Sequence, residues 1–289
     1  MESEKKVNVW FITGASKGMG LALVKLLLAK GHAVAATSRN AQALKRQIDG
    51  YDATFLPLEM DLTADDSVRN AIQQTVKTFG RLDVVVNNAG FAYVGSLEEM
   101  TDEEFRYALD VNLFGTVNVI RAAMPYLRQQ RSGHIINIAS AGGYVAVANL
   151  GSYAASKFAM VGLTESLAAE IKPFGVYATV VLPGSFRTRF LEDGSLTYVK
   201  TPIAEYGSDQ TLDGMSKRAG SQPGDPDKLV AELVKLADYP APPVHLILGP
   251  DSYRMIMDKR DKDMAEFEAY KETTMSTNLE QVLPDHQTH

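Results

Sequence analysis

The chain has 289 residues, 45% hydrophobic and 22% charged, with a net charge of -6, values that fit a globular protein with a sizeable core and exclude a disordered or fibrous one. It has no basic stripe or polybasic tail, so neither nucleic acid nor an anionic membrane surface is expected as a partner. With no Cys, and with five His that lack HExxH-like spacing, neither a disulfide framework nor a metal site is expected.

The opening residues MESEKKVNVWFITGAS pass from charge into an apolar run too brief for a signal-peptide core or a membrane span, so a cytoplasmic protein is expected. Runs of Val, Ile and Ala then alternate with stretches of helical period. A strand is predicted at 7–13, then a helix at 18–30, a strand at 33–37, a helix at 41–48, a strand at 54–58 and a helix at 64–79. The alternation continues with a strand at 82–87, a helix at 101–128, a strand at 134–138, a helix at 152–172 and a strand at 176–182. Residues 185–226 break the rhythm and read as a substrate lid. A helix at 227–237, a strand at 244–248 and a charged helical extension at about 250–272 complete the chain. Buried strands joined by right-handed crossovers predict an α/β fold, one Rossmann-type domain over 1–289 with a doubly wound parallel sheet and helices on both faces.

Between the first strand and first helix stands TGASKGMG, with Gly14, Ser16, Lys17, Gly18, Met19 and Gly20. Glycines there let the backbone approach a pyrophosphate, whose charge meets the helix N-terminal amides. The spacing is GxxxGxG rather than GxGxxG, and such a turn is by itself also compatible with a plain tight turn. At the end of the second strand, where an acidic side chain would take the 2′-hydroxyl of NAD, stand Ser38 and Arg39. With Lys17 they place two cations where a 2′-phosphate would sit, so NADP(H) is preferred over NAD(H), unless Arg39 is only a solvated charge.

Tyr153 and Lys157 lie at i and i+4 on one helix face. A phenol of pKa ~10 is a poor acid or base at neutral pH, and a nearby ammonium is expected to lower it. The small residues Ala155, Ala159 and Gly162 suggest close approach of this helix to a neighbour. The plain alternative is a surface pair. Ser140 follows a predicted strand at the sheet's carboxyl edge, where it either faces a substrate carbonyl or caps a turn. Asn112, in LDVNLFG, either belongs to the site or marks a helix irregularity.

TGASKGMG, NNAG at 87–90, Asn112, Ser140, the YxxxK of Tyr153 and Lys157, and PGSFRT at 183–188 occur in an order and spacing that resemble the short-chain dehydrogenase/reductase family, over roughly the first two hundred residues. The resemblance implies hydride transfer between a nicotinamide and a carbonyl or alcohol, with Tyr153 as proton donor, Ser140 orienting the oxygen, Lys157 supplying charge and touching the ribose, and Asn112 holding a water of a proton relay. It also implies that Asn87 and Gly90 support the cofactor edge, that Asp61 contacts the adenine, that Thr188 reaches the carboxamide, and that Leu62, Asn88, Ala89, Pro183 and Gly184 belong to the cofactor site. Phe91, Tyr93, Tyr144, Val145, Phe186 and Phe190 follow these motifs as an apolar lining, so an apolar substrate is expected, as in the hydroxysteroid- and retinol-dehydrogenase-like branch. By resemblance a homo-oligomer forms through the helices at 101–128 and 152–172. A non-catalytic NADP-binding regulator on the same fold is the competing reading, and sugar-nucleotide epimerisation ranks last.

Overall fold

The computed structural model describes residues 7–51, 53–191 and 194–278. The ends of the expected 1–289 domain and residues 192 and 193 of the expected lid lie outside these. The elements are β1 (Val9–Ile12), α1 (Gly18–Ala29), β2 (Ala33–Ser38), α2 (Ala41–Lys45), β3 (Phe55–Glu59), α3 (Asp65–Phe79), β4 (Val84–Asn87), β5 (Ala92–Val94), α4 (Asp102–Leu109) and α5 (Gly115–Gln130). There follow β6 (Gly133–Ile138), α6 (Gly151–Ile171), β7 (Val176–Pro183), β8 (Leu196–Tyr198), α7 (Ser208–Ser216), α8 (Pro226–Leu236), β9 (His245–Leu248), α9 (Pro250–Ala269) and α10 (Lys271–Met275).

All seven expected strands join one sheet in the order β3-β2-β1-β4-β6-β7-β9, every pairing parallel. Because successive side chains of a strand leave opposite faces, β1 divides its bulk between two cores. Trp10 and Ile12 pack with Leu23, Leu27, Leu229 and Leu233 of α1 and α8. Phe11 packs with Ile72, Val119, Leu127 and Leu167 of α3, α5 and α6. Helices therefore cover both faces, as a sheet buried on both sides requires. Several ends are fixed by residues chosen for the purpose: Thr101 and Glu104 form a reciprocal capping box on α4, Gly80 closes α3 in the left-handed region, and Asp225 caps α8 with Pro226 at its first position.

Two expectations are corrected. The helix expected over 101–128 is two helices separated by a wider π-helical turn at Asp110–Phe114, and Asn112 sits inside that turn, fully buried. The helix expected over 41–48 ends at Lys45. The stretch at 185–226 also carries structure of its own: β8 pairs in parallel with β5, away from the main sheet, and α7 follows.

This stretch is fastened to the body by Glu99, which is 1% exposed. Its carboxylate accepts from the Ser208 hydroxyl at 2.6 Å, from Ile203 N at 2.8 Å and from Ser96 N at 2.6 Å, while Thr201 Oγ1 donates to its backbone carbonyl. Burial alone would raise the Glu99 carboxyl, but these donors outweigh it and hold the group down at about 2. A folded-state value below the ordinary ~4.3 means that the stabilisation is present above pH ~4.3 and fades as pH falls toward 2. Glu99→Ala is therefore expected to lower the stability by about 2 kcal/mol or more, read as a fall in Tm at neutral pH, and to remove part of the acid-induced loss of stability below pH ~4.3.

Candidate active site

Six loops leave the carboxyl ends of β1, β2, β3, β4, β6 and β7 and enclose a cleft of about 660 Å³. It lies where β1 and β4 part, the switch point at which ligands bind in open parallel sheets. The parting strands are tied together just there. Thr13 Oγ1 accepts from the backbone N–H groups of Asn88 and Ala89 at 3.0 and 3.1 Å, and the Asn88 amide donates to the carbonyls of Thr13 and Gly14 at 2.9 and 3.1 Å. The result is a backbone approach that excludes side chains. A Cβ on Gly14, whose φ is +66°, would lie 2.7 Å from Ala89 Cα, and one on Gly20 would lie 2.5 Å from the Gly14 carbonyl oxygen.

Most of the residues expected around the cofactor line this cleft: Gly14, Ser16, Lys17, Gly18, Met19, Ser38, Arg39, Asp61, Leu62, Asn88, Ala89, Gly90, Tyr153, Lys157, Pro183, Gly184 and Thr188. Gly20 lies beneath the lining, as its buried backbone contact with Gly14 requires. Asn87 also lies outside it, in the sheet interior, where its amide donates to Asn137 Oδ1 at 2.8 Å. Ser38 Oγ accepts from Asn40 N at 3.1 Å and so helps to seat α2, while the Arg39 side chain is exposed at the rim.

At the centre, Ser140 starts a tight turn by accepting from Gly142 N at 3.1 Å, which satisfies the capping expectation, and its hydroxyl is close enough to the Tyr153 phenol to favour the ionised form of that phenol. Lys157, 3% exposed, donates from Nζ to the Ile138 carbonyl at 2.9 Å and lies 5.6 Å from the Tyr153 ring centroid. Asn112 is a clamp: its amide donates to Phe91 O at 2.9 Å and Ser156 Oγ at 3.2 Å, and its Oδ1 accepts from Phe91 N at 3.0 Å. Ser156 in turn donates to the Tyr153 carbonyl at 2.7 Å. The irregular turn and the site role are thus aspects of one arrangement, since the π turn aims Asn112 at the loop after β4 and at α6.

The expected lowering of the phenol by the ammonium is corrected. Burial raises Tyr153, only partly offset by the Ser140 hydroxyl, and burial also depresses Lys157 to about 8. Desolvation disfavours both charged forms, so the phenol keeps its proton at neutral pH.

Two more readings change. Tyr144 turns away from the cleft: its hydroxyl meets His245 Nδ1 at 2.8 Å, and His245 Nε2 lies 3.0 Å from Glu165 Oε1, tying the turn after β6 to β9 and α6. Its neighbour Val145 lines the cleft, with Ser140, Phe91, Tyr93, Phe186 and Phe190. The small-residue stripe Ala155, Ala159 and Gly162 faces outward beside the exposed Phe158, and the buried face of α6 is instead built from Ala154, Lys157, Met160, Val161 and Thr164. Cleft residues the sequence reading missed include Tyr107, Leu150, Met215, Gln222, Asp251 and Met255. None sits in a motif: Tyr107 comes from α4, Leu150 from the residue before α6, and Met215, Gln222, Asp251 and Met255 from the chain beyond β7. Among the described residues no group of His, Asp or Glu is arranged to hold a metal ion, and no helix is long and apolar enough to cross a membrane.

A family model described as short chain dehydrogenase matches residues 8–197. A 3-ketodihydrosphingosine reductase of Bacteroides thetaiotaomicron is 36% identical over 248 residues, 84% of this chain and 88% of the reductase. A solved short-chain dehydrogenase from Streptomyces avermitilis aligns with a TM-score of 0.86 and 32% identity, covering 95% of this chain and all of the other. A structure of ElxO with NADP bound aligns with a TM-score of 0.70 and 27% identity, covering 84% of this chain and 96% of that one.

The strand-end geometry makes a prediction of its own. Gly14→Ala adds both a left-handed backbone penalty of about 1–2 kcal/mol and a collision with Ala89, so a loss of several degrees in Tm is expected, larger than for Gly162→Ala, where a Cβ meets nothing.

Proposed function

The chain belongs to the short-chain dehydrogenase family, and on that premise we propose that it uses NADP(H) in preference to NAD(H) to interconvert an apolar ketone or aldehyde with its alcohol. The observation that carries the reading is the group of half-buried Ser140 and Tyr153 with buried Lys157 in the cleft lining. The residues present fit a dinucleotide: the side-chain-free cradle at Gly14 and Gly20 leads into the N-terminus of α1, and the buried Gln222 Oε1 of the cleft lining has no hydrogen-bond partner among the described residues.

When bound, the nicotinamide supplies or takes the hydride. In the reducing direction the Ser140 hydroxyl orients the carbonyl oxygen and Tyr153 passes its proton to that oxygen as the carbon gains hydride. The Lys157 ammonium, still charged at neutral pH with its value near 8, lies close enough to the ring to favour the phenolate that remains. Asn112 positions the loop after β4 against α6 and so holds the distance between cofactor edge and phenol. The water relay implied by the family would start from this same asparagine.

Selectivity for the 2′-phosphate rests on Arg39 at the end of β2 and Lys17 at the head of α1, with no carboxylate at positions 38 or 39, and the NADP-bound ElxO structure supports it. The substrate end is lined by Phe91, Tyr93, Val145, Leu150, Phe190 and Met215, which favours an apolar body around the reacting carbon. A relative named as a reductase of a ketone supports the carbonyl assignment. The stretch at 185–226 acts as the lid of this end, within a single domain. The outward face of α6, where Phe158 is 44% exposed, and the π turn before α5, where Phe114 is 52% exposed, support the homo-oligomer, in a cytoplasmic protein.

A panel of apolar ketones and aldehydes followed by nicotinamide absorbance is expected to show turnover with NADPH that Tyr153→Phe lowers by at least about a hundredfold while NADPH still binds. Turnover unchanged in that variant, or confined to small charged sugars, contradicts the reading. Arg39→Ala is expected to raise the KM for NADPH about tenfold and leave that for NADH nearly unchanged; equal effects on both would refute the assignment of Arg39.

A further inference from the structure

The family model ends at residue 197, yet the cleft is walled in part by residues far beyond it. The corner between β9 and α9 reaches under the loop that leaves β7. Asp251 Oδ2 accepts from Ser185 N at 2.6 Å, Gly184 N donates to the Leu248 carbonyl at 2.9 Å, and Ser252 Oγ donates to the Leu182 carbonyl at 2.9 Å. Three points of one short loop are thereby held by three residues of one corner. The Asp251 carboxylate occupies the space where a Cβ on Gly184 would be, and it also closes on Gly249, whose φ is +102°. Gly184 is thus required because the carboxylate is there. Burial alone would raise the Asp251 carboxyl, but the N–H donors of Ser185 and Ser252 and the Ser185 hydroxyl bring it below its usual range. One turn further along α9, Met255 lines the same cleft.

We infer that Asp251 is a positioning residue for the nicotinamide half of the cofactor: it fixes the height and direction of the Pro183–Gly184–Ser185 loop against which that half rests. The inference rests on the dinucleotide reading above and extends it to the C-terminal part of the chain. On that reading the adenine half would rest against the loops after β1, β2 and β3, and among the described residues the hydrogen bonds of the Asp251 carboxylate go to Ser185 and Ser252 instead, so its effect is confined to one end of the ligand. That separation is what makes it testable.

NADPH and adenosine 2′,5′-bisphosphate, the same ligand without its nicotinamide half, are titrated against the full-length protein and against Asp251→Ala and Asp251→Asn, with binding followed by calorimetry. The wild type binds both. Asp251→Ala is expected to weaken NADPH about tenfold while the bisphosphate stays within about twofold, because a hydrogen bond to a charged group is lost at one end only. Asp251→Asn keeps an acceptor oxygen and is expected to fall between the two; should Asp251→Ala fail to melt cooperatively, Asp251→Asn carries the comparison alone. Equal weakening of both ligands in a folded variant, or unchanged NADPH affinity, overturns the assignment of Asp251. A wild type that binds neither ligand overturns the cofactor reading itself, and with it the inference.

Discussion

Everything at the site depends on how closely two neighbouring strands approach as they part. β1 and β4 run side by side in the sheet, and the chain beyond them would separate if nothing opposed it. Thr13 and Asn88 oppose it, with four hydrogen bonds that satisfy backbone groups otherwise stranded at the strand ends. Once that seam is closed no room is left for side chains at Gly14 and Gly20, and the head of α1 is carried to the edge of the cleft. The glycine pattern follows from the seam, and a bound pyrophosphate would exploit what the seam has already shaped.

Burial then sets the protonation of the groups above it. Lys157 and Tyr153 are placed among Ser140, Ile138 and the α6 backbone, where less water is at hand to hold a charge. Each is pushed toward its neutral form. For the phenol this keeps a proton available; for the lysine it leaves a group poised near neutrality, whose charge a neighbouring ligand can readily shift. Sequence spacing places the pair on one helix face, but only the packed environment decides which way each titration moves, and for the phenol burial outweighs the Ser140 hydroxyl.

What could be read in advance follows the same division. The seven strands were legible because each is a short apolar run punctuated by polar or glycine residues, and the motif residues were legible because they sit at strand ends, where the parallel fold gathers them. Side-chain direction was not. Tyr144 and Val145 are adjacent, yet the first bonds His245 and the second lines the cleft, a choice made by β9, a hundred residues later. The outward turn of Ala155, Ala159 and Gly162 depends on which face of α6 meets the sheet, and α6 is too uniformly apolar for its sequence to say. The π turn was hidden because its extra residue leaves the apolar spacing of the flanking helices readable as one run. Gln222 and Asp251 carry no local signature, since what they face, the cleft and Ser185, is distant in sequence, and the local Ser96–Glu99 pair gives no hint that Glu99 also holds Ser208 and Ile203.

The dependence of the β7 loop on the corner after β9 bears on how the molecule is made. A polypeptide emerges from its amino terminus, so the glycine turn and the Tyr153 helix are exposed to solvent well before the corner at Gly249 exists to brace the loop at Gly184. The nascent chain therefore holds an unfinished ligand groove until the corner that follows β9 has been synthesised, and a cofactor molecule in the surrounding solution can reward only the finished product.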